Sequence, residues 1–326
     1  MKLSVIICAY NESNYIDQSI RSVLLQTVEP SEILLVDGGS SDETPAICGQ
    51  YAEAYSKIRF VDIGKKVNIP KMRNIAIEAA SGEFLTFLDG DDLFRENKIE
   101  LEFETLRNNK DASIVFSDYA YIDKKGQIID NWSGDNQIPT GNVLMENAGR
   151  MWPRGSLYRS SIISKKLLTE IGMFDENLSI YEDWDMKIRT AARSEVIYCD
   201  EILSEYRLHS DGISSRSSAR EYNLAVQKIW EKNRSMLKKN LGNQAYENVE
   251  ASIHSLLLKS RLLCAKEQRA FINMMRLYVE WLLQDPKNIF DIKSNLKFML
   301  PTSIISVIEP IYMEVRRLVY KISNTF

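Results

Sequence analysis

Along the first ninety residues, short apolar runs alternate with stretches in which apolar residues recur every three or four positions. Leu3 to Cys8 reads as a buried strand, and Ile16, Ile20, Val23 and Leu24 then share one helical face, with Asn11 and Ser13 as candidate caps. Glu32 to Val36 predicts a second strand, and Thr44 to Tyr55 a helix that tolerates Pro45 in its first turn. A strand over Ile58 to Ile63, a helix near Met72 to Ala80 and a strand over Glu83 to Leu88 continue the series. Strands alternating with helices imply a parallel α/β sheet, whose ligands sit beyond the carboxyl ends of the strands. Those ends read AYNES, VDGGSSDET and LDGDD, all polar and carboxylate-bearing.

From about Ser113 the pattern changes to longer strands with fewer helices. SIVFSDYAYID predicts a strand and WSGDNQIPTGN a loop. Beyond about Ser217 the spacing becomes helical, in YNLAVQKIWEKNRSMLKK and ASIHSLLLKSRLLCAK. We therefore expect an α/β domain over residues 1–216 and a helical region over 217–326.

The length of 326 residues agrees with two domains, and the 44% hydrophobic and 26% charged residues suit a soluble globular protein with a real core. A net charge of −4 and a pI near 5.5 provide no basic field for nucleic acid, which excludes that class of partner. Cys8, Cys48, Cys199 and Cys264 are scattered, with no zinc-like spacing, and fit buried free thiols in a reducing cytoplasm. MKLSVIICAY reads as a strand rather than a signal peptide, and no apolar run is long enough to span a membrane.

The run FLTFLDGDDLF, Phe84 to Phe94, places Asp89, Asp91 and Asp92 within four positions of a strand end. Gly and Asp are ordinary turn residues, so a solvated turn explains the run. A hard divalent cation, which takes several carboxylate oxygens, explains it as well.

Five pieces in order resemble the inverting glycosyltransferases of family 2: SVIICAYNE, ILLVDGGSSDET, RNIAIEAASGEFLTFLDGDD, GMFDENLSIYEDWDMKIR and YRLHSDGIS. The resemblance covers about residues 1–215. It implies the GT-A fold, a Rossmann-like mixed sheet flanked by helices, here with a C-terminal helical extension beyond the resemblance. It also implies a nucleotide-sugar donor, with a UDP-sugar or dTDP-sugar favoured.

On that resemblance Ala9, Tyr10 and Glu12 border the donor site, where a small residue leaves room for a flat base. Asp37 is placed to accept from the imide N–H of uracil or thymine. The family often has a second acid next to it, where this chain has Gly38. Arg73 is placed to hold a diphosphate or Asp89 itself. DGDD resembles the DxD motif, in which Asp91 coordinates Mn²⁺ or Mg²⁺ and Asp89 contacts the ribose or the metal. His209 matches a metal-facing histidine, whereas His254, in the helical tail, reads as structural. In YEDWD the resemblance makes Asp183 the base, Glu182 a nearby donor or acceptor contact and Trp184 part of the sugar-pocket wall. These acids equally suit a helix N-terminus. Trp152 and Arg154 fall where an acceptor loop is expected, and an interior Trp would look the same.

The resulting expectation is a metal-dependent hexosyl- or N-acetylhexosaminyl-transferase acting on a glycan or lipid-linked acceptor in bacterial surface polysaccharide synthesis. A sugar nucleotidylyltransferase should carry a Gly-rich GxGxR-type loop, which AYNES is not. A silent glycan-binding scaffold should have lost acids that are all present. Near the C-terminus, IYMEVRRLVYKI puts Ile311, Val315, Leu318, Val319 and Ile322 on one helical face. That stripe suits peripheral contact with the inner face of the cell membrane, packing on the helical region or a homo-oligomer. Residues 301–326 carry three basic and two acidic side chains, short of a polybasic anchor.

Overall fold

The computed structural model describes residues 1–109, 112–134, 136–151, 160–209 and 217–267, together with Leu277. Strands β1 (Leu3–Ala9), β2 (Glu32–Asp37), β3 (Ile58–Asp62) and β4 (Phe84–Asp89) run parallel, in the order β3-β2-β1-β4. Every residue of β1 and β2 is buried, which is why both read as unbroken runs rather than alternating ones. Between them lie α1 (Ile16–Leu24), α2 (Thr44–Ala54) and α3 (Ile69–Ala79). Ile16, Ile20 and Val23 of α1 join the core beneath β1.

Asn11 and Ser13 do not cap α1. Tyr15 occupies the cap position with no side-chain bond. Asn11 takes a left-handed conformation (φ 57°) and ties instead to the next loop. Helix α3 starts earlier than its apolar spacing predicts, because Asn68 accepts from the Lys71 N–H and Pro70 fits the first turn.

The parallel pattern ends at β4. After it come β5 (Leu93–Phe94), α4 (Lys98–Arg107), β6 (Ile114–Ile122), β7 (Ile128–Asn131) and α5 (Leu144–Gly149). Then follow β8 (Ile162–Ser164), α6 (Lys165–Glu170), α7 (Glu182–Ala191) and β9 (Val196–Arg207). Strand β8 lies antiparallel between β4 and β6, β9 runs parallel to β6, and β5 returns antiparallel on β9. β7 forms a hairpin with β6. The sheet is therefore mixed, in the order β3-β2-β1-β4-β8-β6-β9-β5 among the described residues. The three-residue β8 is too short to leave a periodic signal of its own.

Two long helices follow, α8 (Ala219–Asn240) and α9 (Asn243–Glu267). By contacts the chain forms two compact units. The first holds Met1–Ser217 and Gln227–Ser252, and the second Ser218–Val226 and the chain from Ile253. Within the first, Lys232 and Asn233 of α8 bond the buried Asp185 of α7, at 2.9 Å each. Within the second, the Asn223 amide donates to Leu257 O and Ser260 Oγ. His254 is exposed on α9. Among the described residues no helix is long and apolar enough to cross a membrane. The Ile311–Ile322 stripe lies outside the described residues.

Candidate active site

Sheet register brings the three polar strand ends together. Ala9 pairs with Asp37 and Cys8 with Asp89, so both acids flank the carboxyl end of β1. The ladder continues past the strands, with Gly38 N–H bonding Ala9 O and Gly90 N–H bonding Cys8 O. A side chain at Gly90 would meet Ala9 Cβ at 3.1 Å and Glu12 Cγ at 3.2 Å, so a larger residue there would press on the loop after β1. Cys8 lies beneath, its thiol pushed up to about 12 by burial, and is a neutral packing group.

The loops after β1 and β2 are laced by hydrogen bonds. Asn11 N–H donates to Ser40 Oγ, Ser41 N–H to Asn11 Oδ1, Glu12 N–H to Thr44 Oγ1 and Ser13 N–H to Asp42 Oδ2. The Tyr10 ring, half-buried, faces the Lys66 ammonium at 4.7 Å. Asp37 is fully buried. Its Oδ2 accepts the N–H groups of Gly39 and Ser40, and its Oδ1 accepts the Ser40 hydroxyl. The position of the missing second acid is filled, since a side chain at Gly38 would meet Met72 Sδ at 2.5 Å.

Arg73, in α3, is 9% exposed and joins two carboxylates. One Nη donates to Asp89 Oδ1 at 3.0 Å and the other to Glu182 Oε1 at 2.8 Å. Arg73, expected to hold a diphosphate or Asp89, bonds Asp89. The guanidinium also lies 5.3 Å from the Phe174 ring centre and 5.9 Å from that of Phe87. Burial opposes its charge, yet Asp89 and Glu182 hold its pKa above the ordinary arginine value.

Glu182 and Asp183 open α7, with Asp185 in the same first turn. Tyr181 precedes them in a left-handed conformation (φ 62°). Burial pushes the Glu182 carboxyl up to about 7, with Arg73 offsetting and the Asp183 charge adding to the rise. Asp183 keeps about a third of its side chain exposed and accepts from Lys187 Nζ at 2.8 Å. Trp184 is 4% exposed and gives its indole N–H to Asn147 O. Arg150, which the sequence reading missed, stacks over Tyr181 at 4.3 Å and Trp184 at 5.1 Å. Trp152 and Arg154 lie outside the described residues.

Asp91 and His209, 118 positions apart, meet with Oδ2 and Nε2 at 2.8 Å. Asp92 points elsewhere: it is 3% exposed and accepts the Arg207 backbone N–H. The two-residue β5 and the end of β9 carry DGDD and His209 to one place. A carboxylate oxygen is a ligand that Mn²⁺ and Mg²⁺ prefer, and an imidazole nitrogen is a common ligand of divalent transition metals. Among the described residues no group of three or more His, Cys, Asp or Glu side chains could hold a metal ion, and a cation on Asp91 and His209 would need ligand oxygens or water to complete its shell.

Residues 4–166 match the model of Glycosyl transferase family 2. An uncharacterized glycosyltransferase of Rickettsia bellii is 30% identical over 233 residues, covering 70% of this chain and 32% of that protein. The chain spans about a third of the length of three Rickettsia relatives that it matches. The Escherichia coli UDP-Glc:alpha-D-GlcNAc-diphosphoundecaprenol beta-1,3-glucosyltransferase WfgD is 30% identical over 213 residues, 65% of this chain and 79% of that protein. Among solved structures, Staphylococcus aureus TarS residues 1–349 in complex with UDP-GlcNAc has a TM-score of 0.65 at 17% identity. That match covers 87% of this chain and 81% of the other, and it concerns the fold.

Proposed function

The chain belongs to glycosyl transferase family 2, and we propose that it transfers one sugar, with inversion, from a UDP- or dTDP-sugar to a hydroxyl of a glycan or lipid-linked acceptor. The observation that carries this reading is the Arg73 bridge from Asp89, at the end of β4, to Glu182, at the start of α7. It joins the donor-side and acceptor-side acids into one site. The name of the E. coli relative, with UDP-glucose and a diphosphoundecaprenol acceptor, supports a UDP donor and a lipid-linked acceptor. The UDP-GlcNAc held by the S. aureus structure supports the same donor class. We place the reaction in bacterial surface polysaccharide synthesis, at the inner face of the membrane.

In the proposed reaction the acceptor oxygen bonds the anomeric carbon as the bond to the diphosphate breaks. The nucleoside diphosphate leaves with that electron pair, and the acceptor proton passes to Asp183. Asp183 suits this role because it is partly exposed, whereas Glu182 is nearly buried and held by Arg73. Asp91 and His209 would hold Mn²⁺ or Mg²⁺, which supplies charge neutralisation for the departing diphosphate. Ala9, Tyr10 and Glu12 bound the space for the nucleoside. Asp37 already accepts three hydrogen bonds from its own turn, and its carboxylate has about four acceptor sites, which leaves one for an imide N–H.

A panel of nucleotide sugars with Mn²⁺, read by thermal unfolding, tests the donor. A ligand of the folded state at about 100 times its Kd stabilises by about 2.7 kcal/mol. The expected result is a clear rise in Tm with a UDP- or dTDP-sugar. No rise with any member of the panel would contradict the reading.

A further inference from the structure

We propose that Arg207 is the positioning residue that sets Asp91 against His209; the inference rests on the reading of that pair as the cation site. Arg207 is 2% exposed and ties together four segments of the first unit. Its backbone N–H donates to Asp92 Oδ1 and its Nε to the Asp91 carbonyl, both at 2.9 Å. One Nη reaches the carbonyls of Asp123 and Lys124 in the β6–β7 turn, at 3.3 and 3.4 Å. The other reaches Gln18 Oε1 of α1 at 3.0 Å.

This one side chain reaches both sides of the pair, Asp91 directly and His209 through Tyr15. Asp91 is gripped at its own carbonyl, so the backbone that aims its carboxylate cannot drift. His209 lies two residues beyond Arg207. Its ring stands 5.4 Å from Tyr15, whose own ring lies 4.7 Å from the guanidinium. The Leu208 N–H bonds Ile122 O and anchors the intervening residue.

The arrangement needs arginine. A planar fork with five N–H donors reaches acceptors in three directions, whereas a lysine ammonium has one centre and satisfies fewer of them. Groups that orient metal ligands from behind typically change metal affinity by about 10–100-fold when mutated.

The test is calorimetric titration of Mn²⁺ into UDP-loaded protein for wild type, Arg207→Lys, Gln18→Leu and Asp91→Asn, with unfolding recorded for each. Arg207→Lys is expected to lose about 10-fold or more in Mn²⁺ affinity of the folded protein. Gln18→Leu, which removes one contact from an exposed side chain, is expected to lose a smaller but measurable factor while keeping its fold. Both should bind UDP as wild type when Mn²⁺ is absent, which a general loosening of the fold would not allow. Wild-type Mn²⁺ affinity in both, with Asp91→Asn impaired, would overturn the role of Arg207 and leave the cation site standing. Wild-type affinity in Asp91→Asn would overturn the cation site itself, and the inference with it. If Arg207→Lys fails to fold, Gln18→Leu decides by the same readout, unchanged affinity counting against the role.

Discussion

Arg73 and Glu182 stand 109 positions apart in the sequence and 2.8 Å apart in the fold, and the same guanidinium holds Asp89. One buried cation is shared between acids of two elements, so it couples the geometry of the strand end to that of the helix start. Among the described residues its buried Nε has no hydrogen-bond partner.

Arg73→Met should leave Asp89 and Glu182 facing each other without that cation. Removing one partner of a fully buried ion pair costs about 3–5 kcal/mol, and a loss of about 1–3 kcal/mol is expected here in urea unfolding, because Glu182 can take up a proton and Asp89 is partly exposed. Arg73→Lys should fall between, because an ammonium does not span two carboxylates as a fork does. A Met variant within about 1 kcal/mol of wild type would show that the bridge adds little.

Glu182 makes stability depend on pH. Its carboxyl titrates near 7 in the fold against 4.5 ordinarily, so between these values the folded chain keeps a proton that the unfolded chain releases. Stability should therefore fall as pH rises through that window, by at most about 1.4 kcal/mol per pH unit from this group. Glu182→Gln should remove that slope. Parallel stability curves for the two proteins from pH 5 to 8 would place the titration elsewhere.

Asp183→Asn should bind the donor nearly as wild type and lose transfer by about 100-fold or more, the usual scale for a general base. Steady-state kinetics with the donor and acceptor varied separately will show this as a loss in kcat with little change in donor KM. Retained transfer would shift the proton acceptor to Glu182.

Asp37→Ala should destabilise the chain by about 1–3 kcal/mol even without nucleotide, because the Gly39 and Ser40 donors lose their acceptor. Thermal unfolding of the ligand-free protein measures it. Unchanged stability with lost nucleotide binding would mean that Asp37 serves the base and not its own turn.

Local pattern carried the first half of the fold. β1 and β2 are buried on both faces, and each leaves a short apolar run that can be recognised alone. β5 and β8 have two and three residues and exist through distant partners, so no local window contains them. The same division holds in the site. DGDD and YEDWD announce themselves as acids at element ends, and the resemblance to a family placed His209 beside Asp91. Arg207 went unnoticed because its partners are mostly backbone carbonyls, which every residue has. Trp184, expected at the pocket wall, is buried and donates to Asn147 O, a backbone partner that no sequence window shows.

The anomeric configuration of the product tests the proposed reaction most directly. A UDP-sugar accepted as donor, transferred to a glycan or lipid-linked acceptor and read by the anomeric proton coupling in NMR, should give a linkage of opposite configuration to the donor. A product that retains the donor configuration would contradict direct displacement assisted by Asp183.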